Sequence, residues 1–288
     1  MGAIQPSNVY SRLQLVLGEL ELLRQEMGRP RDERPTYRIT GAAPREVFFE
    51  AQALFRKSDR FCFERTGEEN VMPYPPPVEQ IEPQHVHAVV DAALYHLQQV
   101  KSQLRIPESA TQPPVDPSKQ PSDCLDLVLQ ANRQLNRLLE QPFSPSDVYQ
   151  LLTLAAAYVS RLCAHVGLEM PAAPAFVRGK RPGDVFGRIW ASLGALREIA
   201  TAAGVTMLDP GPVPYEADAV LPSDCYDAAC VLISELVYLH ARVPGLAPPA
   251  AAEMYEVGHK IPAHCHQRAS HIEVGLRALA ANAGKLRK

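Results

Sequence analysis

The sequence predicts an all-α protein in which eight long helices, in sequence repeats of about 38 residues, pack as helical bundles. Three observations support this. A pattern that begins with proline recurs along the chain, apolar residues follow each copy at steps of three and four, and glycine follows most of these apolar stretches. The copies begin at Pro6, Pro44, Pro83, Pro121, Pro145, Pro182, Pro222 and Pro262. Successive prolines lie 38, 39, 38, 24, 37, 40 and 40 residues apart, and such a regular period indicates repeat architecture.

Each copy has the features of a helix start. Proline suits the first helical position, where its fixed φ and missing N–H do no harm. Two residues later most copies carry an acid or asparagine, as at Asp147, Asp184 and Asp224. Such a side chain accepts hydrogen bonds from free N–H groups and complements the positive end of the helix dipole. We therefore expect a helix to begin at each of the eight prolines.

The helix bodies follow from the apolar spacing. The fifth repeat has apolar residues at Val148, Leu152, Ala155, Val159, Leu162 and Val166. A seven-residue apolar repeat of this kind predicts knobs-into-holes packing at a shallow left-handed crossing angle. Six glycines lie 22 or 23 residues after their prolines, where a left-handed residue would close the helix. They are Gly28, Gly67, Gly167, Gly204, Gly245 and Gly284. Each helix is thus expected to span about 21 residues, or roughly 32 Å.

Most connections between these helices are long and rich in proline, as in residues 72–77 and 208–215. About 15 extended residues reach roughly 50 Å, enough to run back along a whole helix. Successive helices can therefore be parallel or antiparallel, and the sequence does not choose. The connections also hold apolar residues, which lead us to expect that they pack on the bundles. These are Tyr37, Ile39, Tyr74, Phe176 and Tyr215.

The fourth connection is the exception because it is short. We expect the fourth helix to end near Glu140 and the fifth to begin at Pro145, so residues 141–144 form a joint with four repeats on each side. Two tandem four-helix bundles, residues 1–142 and 143–288, match the usual size of a domain. One body of eight helices is the alternative.

Composition narrows the possible partners. The net charge is −3, and Lys and Arg are scattered, so neither a nucleic-acid site nor a polybasic membrane site is indicated. No apolar run is long enough for a transmembrane segment. The start at residues 1–5 lacks the regions of a signal peptide. We expect a cytoplasmic protein if the chain is complete, and a periplasmic or secreted one if a leader has been removed.

Three of the six cysteines, Cys124, Cys225 and Cys265, occupy a repeat position that is valine in the other five copies. Such cysteines behave as small buried apolar residues. The sequence has no CxxC pair that would indicate a metal or redox motif. We therefore expect reduced thiols in the core.

The densest group of possible metal ligands lies at the last helix: His259, His264, Cys265, His266 and His271. Imidazole and thiolate at this density are the ligands that zinc or copper prefers. However, His264 and His266 are two residues apart and would not face the same side of a helix. His264 also stands where other copies carry the capping acid. The pattern favours a helix-start role, with a transition-metal site as the alternative.

No enzyme class is indicated, because the chain lacks a P-loop, GxGxxG, GxSxG, HExxH or EF-hand pattern. The paired acids Glu19 and Glu21 are expected on a solvated face. The sequence predicts a non-enzymatic protein-interaction or assembly module, acting through a protein partner or self-association. The alternative is a sensor for a small ligand or metal, through a bundle core or the C-terminal His/Cys cluster. Function is expected where the repeat is broken: at the short joint, at the polar Ser58 and at the histidines of the third and eighth repeats.

Overall fold

A computed structural model of the chain describes residues 3–34, 39–213, 216–249 and 258–287. In these residues the fold is all-helical and has no β-strand, which confirms the predicted helical-bundle class. The described part contains eight long helices: α1 (Pro6–Glu26), α2 (Pro44–Thr66), α3 (Pro83–Leu104), α4 (Pro121–Leu138), α5 (Pro145–His165), α6 (Pro182–Ala203), α7 (Pro222–Ala241) and α8 (Pro262–Ala280). Short 3₁₀ turns occur at Val78–Gln80, Ala217–Ala219 and Ala283–Arg287.

Every one of these long helices begins at its predicted proline, and the residue before the proline is extended. Four of the six glycines act at helix ends as expected. Gly67 and Gly204 are C-cap residues with φ of 76° and 74°. Gly28 and Gly167, with φ of 61° and 79°, follow the C-cap residues of α1 and α5. Glycine adopts this left-handed conformation without a steric penalty.

Three predicted helix ends differ from the structure, those of α4, α7 and α8, and α3 closes without a glycine. Helix α7 ends at Ala241 and α8 at Ala280, each several residues before the glycine expected to close it. Helix α3 closes at Arg105, whose φ of 58° is left-handed although the residue is not glycine. Helix α4 ends at Leu138, slightly before the expected Glu140, because Leu139 is already extended. Glycine spacing therefore marked the region of six helix ends but not always the terminal residue.

The chain divides into two compact units, Met1–Pro142 (unit 1) and Phe143–Lys288 (unit 2). In unit 1, helices α1 and α2 each pack on α3 and α4. In unit 2, helices α5 and α6 each pack on α7 and α8. The two units thus have the same order of helices around the bundle. In each, the first and second helices lie across the bundle from each other.

All four helices of a unit point the same way. In unit 1 the first-turn residues of its four helices line one small cavity of about 10 Å³, the space of a single water molecule. They are Pro6, Val9, Pro44, Val47, Pro83, Val86, Pro121 and Cys124. In unit 2 the corresponding residues line a matching cavity. They are Pro145, Val148, Pro182, Val185, Pro222, Cys225, Pro262 and Cys265. Each unit is a parallel four-helix bundle, which answers the question of direction that the sequence left open.

Parallel helices require each connection to run back along the bundle. In the connection between α3 and α4, the Ala110 N–H donates to Glu19 (3.1 Å), and the Pro113 carbonyl accepts from Ser11 (2.6 Å). Residue numbers increase along the connection in the direction in which they decrease along α1. The connection therefore lies antiparallel to the helix that supports it.

The expectation that apolar residues hold the connections on the bundles is only partly met. Ile39 is buried, with 2% of its surface exposed. Phe176 is 41% exposed, and Tyr74 is 95% exposed. Tyr37 and Tyr215 lie outside the described residues. Tyr74 was therefore wrongly predicted to pack on the bundle.

Candidate functional site

The helix starts share one capping arrangement. In each of the eight helices above, the side chain two residues after the proline accepts a hydrogen bond from the backbone N–H of the residue before the proline, at 2.6 to 3.2 Å. The acceptors are Asn8, Glu46, His85, Asp123, Asp147, Asp184, Asp224 and His264. Four positive helix ends meet at one end of each bundle, and the carboxylates among these caps offset that charge. The predicted capping role is confirmed.

The cysteines at this end of the bundles are buried thiols. Each donates a hydrogen bond at 3.0 to 3.2 Å to the carbonyl of a proline that begins another helix. The pairs are Cys124 with Pro6, Cys225 with Pro182 and Cys265 with Pro145. Burial raises the pKa of Cys124 and Cys265 to about 12 and that of Cys225 well above its usual value. Protonated thiols are poor nucleophiles and poor metal ligands.

The five candidate metal ligands are used separately. His264 accepts the Ile261 N–H through Nδ1 (3.2 Å). Cys265 points to Pro145 within the bundle. His271 Nε2 lies 2.7 Å from the carbonyl of Pro171.

The other two candidate ligands, His259 and His266, lie apart from these three. His259 is exposed in the coil before α8. His266 is partly buried, and its burial lowers the pKa, assisted by the nearby cations Lys180 and Arg188. Within the described residues, no group of three or more His, Cys, Asp or Glu side chains is arranged to hold a metal ion. Metal binding by this cluster stays a prediction.

His264 and His271 of α8 instead help to hold the connection between α5 and α6. The His264 ring lies 5.1 Å from the ring of Phe176, and Gln267 donates to the Pro174 carbonyl (2.8 Å). Farther along α8, a Cβ on Gly275 would meet the end of Met170 at 2.6 Å. The absence of a side chain at Gly275 therefore makes room for the connection.

Unit 1 uses the same plan with different side chains. The connection between α1 and α2 lies along α4, where Gln134 accepts from the Asp32 N–H (3.2 Å) and donates to its carbonyl (2.8 Å). Arg133 donates to the Arg34 carbonyl (2.7 Å). In both units, then, the fourth helix supports the first connection. His264 and His271 of the eighth repeat belong to this supporting surface.

Ser58, the polar residue in an apolar repeat position, contacts a histidine of the third repeat. Its Oγ lies 2.9 Å from His96 Nδ1 and also donates to the Phe55 carbonyl (2.9 Å). Ser58 and His96 are 0% and 1% exposed. Burial lowers the pKa of His96, and nearby Asp59 partly opposes this. Since neither side chain reaches solvent, the pair is suited to specifying core packing and not to nucleophilic chemistry.

Hydrogen bonds hold the short joint, residues 141–144, at both of its ends. The Glu64 carboxylate accepts from the N–H groups of Glu140 and Gln141, both at 3.0 Å. Ser144 caps α5 by accepting from the Ser146 N–H (3.2 Å). These side chains therefore hold the chain just after α4 and at the start of α5.

A buried ion pair in unit 1 was missed by the sequence analysis. Glu19, expected on a solvated face, is only 3% exposed and lies 2.5 Å from Lys101 Nζ. Its other oxygen accepts from the Ala110 N–H. The prediction for Glu19 was wrong because the partners come from α3 and from a connection, which the pattern within α1 cannot register.

Residues 71–77, here called the exposed proline segment, form the most accessible apolar part of the described residues of unit 1. Two of its residues, Val71 and Tyr74, have 93% and 95% of their surfaces exposed. Within the described part of the chain, no hydrogen bond engages residues 71–76. This segment is a candidate contact surface.

Both ends of the exposed proline segment are held in place. Asn70 donates to Asp59 of α2 through its backbone N–H (3.0 Å) and its side chain (3.3 Å). At the other end the Pro77 carbonyl accepts from Gln80 (2.8 Å), and Ile81 is buried. The segment is therefore displayed between two fixed points.

The corresponding connection of unit 2 is attached to α6 near its middle. Trp190 donates through Nε1 to the Gly211 carbonyl (3.0 Å), and Arg197 pairs with Asp209 (2.9 Å). Proline content alone therefore does not determine exposure, since Pro210 of this connection is buried although Pro212 is exposed. Both connections are visible in the sequence, but the sequence of the neighbouring helices carries no signal that distinguishes them.

The chain has no significant match to a known protein family, to a curated protein or to a solved structure. Among the described residues, no helix combines the length and the apolar character needed to cross a bilayer.

Proposed function

We propose that this protein is a non-enzymatic interaction module that presents the exposed proline segment of unit 1 to a protein partner. The observation that carries the proposal is the 95% exposure of Tyr74 in a segment whose ends are fixed to a helical bundle. Exposed aromatic residues are a common source of binding energy at protein interfaces. A segment already ordered before binding loses less conformational entropy when a partner docks.

The state of the reactive groups supports a non-enzymatic role. The cysteine thiols at the helix starts are buried and protonated, as the raised pKa of Cys124 and Cys265 indicates. The pair of Ser58 and His96 is enclosed in the core. An enzyme needs a nucleophile or an acid–base group within reach of a substrate. These groups are instead occupied in holding helices together.

A small-ligand role has weaker support. One cavity of unit 1, of about 70 Å³, has a lining that is partly polar and partly apolar. Ligand sites are commonly about 300 Å³ or larger. The residues around this cavity are Leu17, Leu20, Glu21, Arg24, Arg31, Gln130 and Gln134. Its size suits a few water molecules, so the interaction role is the one we propose.

The proposal is tested by measuring the mass of the protein alone and in the lysate of its own cells. Purified full chain is examined by light scattering over a range of concentrations, and fluorescently labelled full chain is followed in the lysate by analytical ultracentrifugation. We expect a complex larger than one chain in at least one of these conditions. A lone monomer in both conditions would refute the interaction role, whatever the chemistry of the partner.

A further inference from the structure

The covalent structure of the exposed proline segment restricts its backbone. Pro73, Pro75, Pro76 and Pro77 fix their own φ near −65°. Each residue before a proline is also driven into extended or polyproline II conformation. Every residue from 72 to 77 is therefore constrained by itself or by its successor. The final residue, Pro77, has φ of −51° and ψ of 137°, close to polyproline II.

The polyproline II period places three of the exposed side chains on one edge of the segment. This helix has three residues per turn and rises about 3.1 Å per residue, so every third side chain lies on one edge, about 9 Å apart. Val71, Tyr74 and Pro77 are related in this way, and all three are exposed. Each of the other two edges has one partly covered and one exposed residue, Met72 with Pro75 and Pro76 with Pro73. The segment thus presents one apolar edge of three side chains.

The surroundings of this edge are acidic. Glu68, Glu69, Glu79 and Glu82 flank it and are all exposed, and no Lys or Arg occurs between residues 67 and 82. In the described part of the chain no basic side chain pairs with these four carboxylates. Their charge is therefore available to a partner. Complementary charge accelerates association and selects among partners.

We infer that the exposed proline segment is a ligand for a protein domain that binds polyproline II helices in a groove lined by aromatic side chains and rimmed by basic residues. This inference rests on the proposed interaction function and names the class of partner. Val71, Tyr74 and Pro77 enter successive pockets of the groove, while the free backbone carbonyls accept hydrogen bonds from its side chains. Such grooves exploit the low entropy of a preformed polyproline II helix. The acidic flanks pair with the basic rim.

The test uses the full chain and purified, isotopically labelled domains of the WW, SH3 and EVH1 classes, including members with basic rims. We expect chemical-shift changes confined to the aromatic groove of at least one such domain. Tyr74→Ala should weaken this binding roughly thirtyfold, as for a central aromatic anchor. Glu79→Lys should weaken it severalfold and reduce its dependence on salt, because exposed charges are screened.

A matched control comes from unit 2. The double variant Pro210→Ala/Pro212→Ala alters a proline-rich connection that Trp190 and Arg197 hold against α6. We expect this variant to bind as the wild type does. Circular dichroism checks that Tyr74→Ala is folded, which is expected because the side chain lies in solvent.

Two results would overturn the inference. One is the absence of groove shifts in every domain of the set. The other is groove binding that Tyr74→Ala leaves unchanged. If the protein forms complexes in lysate while either result is obtained, the class of partner is wrong but the interaction role stands. If no complex forms in any condition, the interaction role itself fails.

Discussion

Replacing Lys101 by methionine removes one half of the ion pair that joins α3 to α1 inside unit 1. The side chains of Lys101 and Glu19 are only 7% and 3% exposed. In Lys101→Met, the Glu19 carboxylate keeps its bond from the Ala110 N–H but loses its counter-ion. A buried charge without its partner is strongly unfavourable.

The expected loss follows from this burial. Breaking a buried ion pair by removing one partner costs about 3–5 kcal/mol of unfolding free energy. At about 3 °C per kcal/mol for a unit of this size, the melting temperature falls by roughly 12 °C. The double variant Glu19→Leu/Lys101→Met should recover much of this loss, because no charge is then left in the core. Arg181→Met is the control, since its ion pair with Asp218 has side chains that are 73% and 81% exposed.

The assay combines far-UV circular dichroism with the fluorescence of Trp190, the single tryptophan, which lies in unit 2. Circular dichroism follows all the helices, whereas Trp190 reports on its own surroundings. If residues 1–142 and 143–288 are separate domains, Lys101→Met lowers the midpoint of only part of the helical signal. The Trp190 midpoint then stays unchanged.

Two outcomes would contradict this reasoning. A change in melting temperature no larger than that of Arg181→Met would mean that the pair of Glu19 and Lys101 is effectively solvated. An equal change in the Trp190 midpoint would contradict the prediction of two separate domains. The first outcome concerns the ion pair and the second the boundary at residue 142.

Three further predictions follow from the packing. Gly18→Ala should lower the free energy of unfolding in urea by about 1–3 kcal/mol, since the new Cβ would lie 2.7 Å from that of Ala110. The control Gly194→Ala, whose new Cβ would have nothing within 4 Å, should raise it by about 0.5–1 kcal/mol. Equal effects of the two variants would refute the contact between Gly18 and Ala110. Burial lowers the pKa of His96 in the folded protein below its ordinary value of 6.5. As the pH falls below 6.5, His96 therefore becomes protonated in the unfolded chain before it does so in the folded protein, and the stability of the folded protein decreases. His96→Gln should flatten this part of the urea-midpoint profile, and an unchanged slope would count against it. Mass spectrometry of untagged protein should find no stoichiometric zinc or copper, whereas a metal lost on His264→Ala would support the metal alternative.

The fold was predictable because the sequence of each helix contains its own start signal and its own line of apolar residues. A proline and a capping side chain begin every helix described above, and local chemistry suffices to recognise them. Helix direction was not predictable, because a connection of about 15 residues permits both directions. His264 illustrates the limit well. Its repeat position indicated capping, but the contact with Phe176 depends on a connection that returns along α8.

The candidate site was harder to predict than the fold. Four prolines between residues 73 and 77 were visible in the sequence, and their backbone restriction follows from covalent chemistry alone. Exposure, however, depends on what the neighbouring helix offers. Trp190 of α6 holds the connection in unit 2, whereas the segment around Tyr74 in unit 1 is fixed only at its ends. The buried pair of Glu19 and Lys101 likewise joins residues 82 positions apart.

The parallel arrangement also has a kinetic consequence. In each unit the first helix packs on the third and fourth and lies across from the second, so among consecutive helices only the second and third pack extensively on each other. Most helix contacts then close loops that include at least one other helix, which raises contact order. For an all-helical protein, folding should be slow. During synthesis, α1 must wait for α3 and α4 before its apolar stripe is covered, and its exposed surface in that interval favours aggregation.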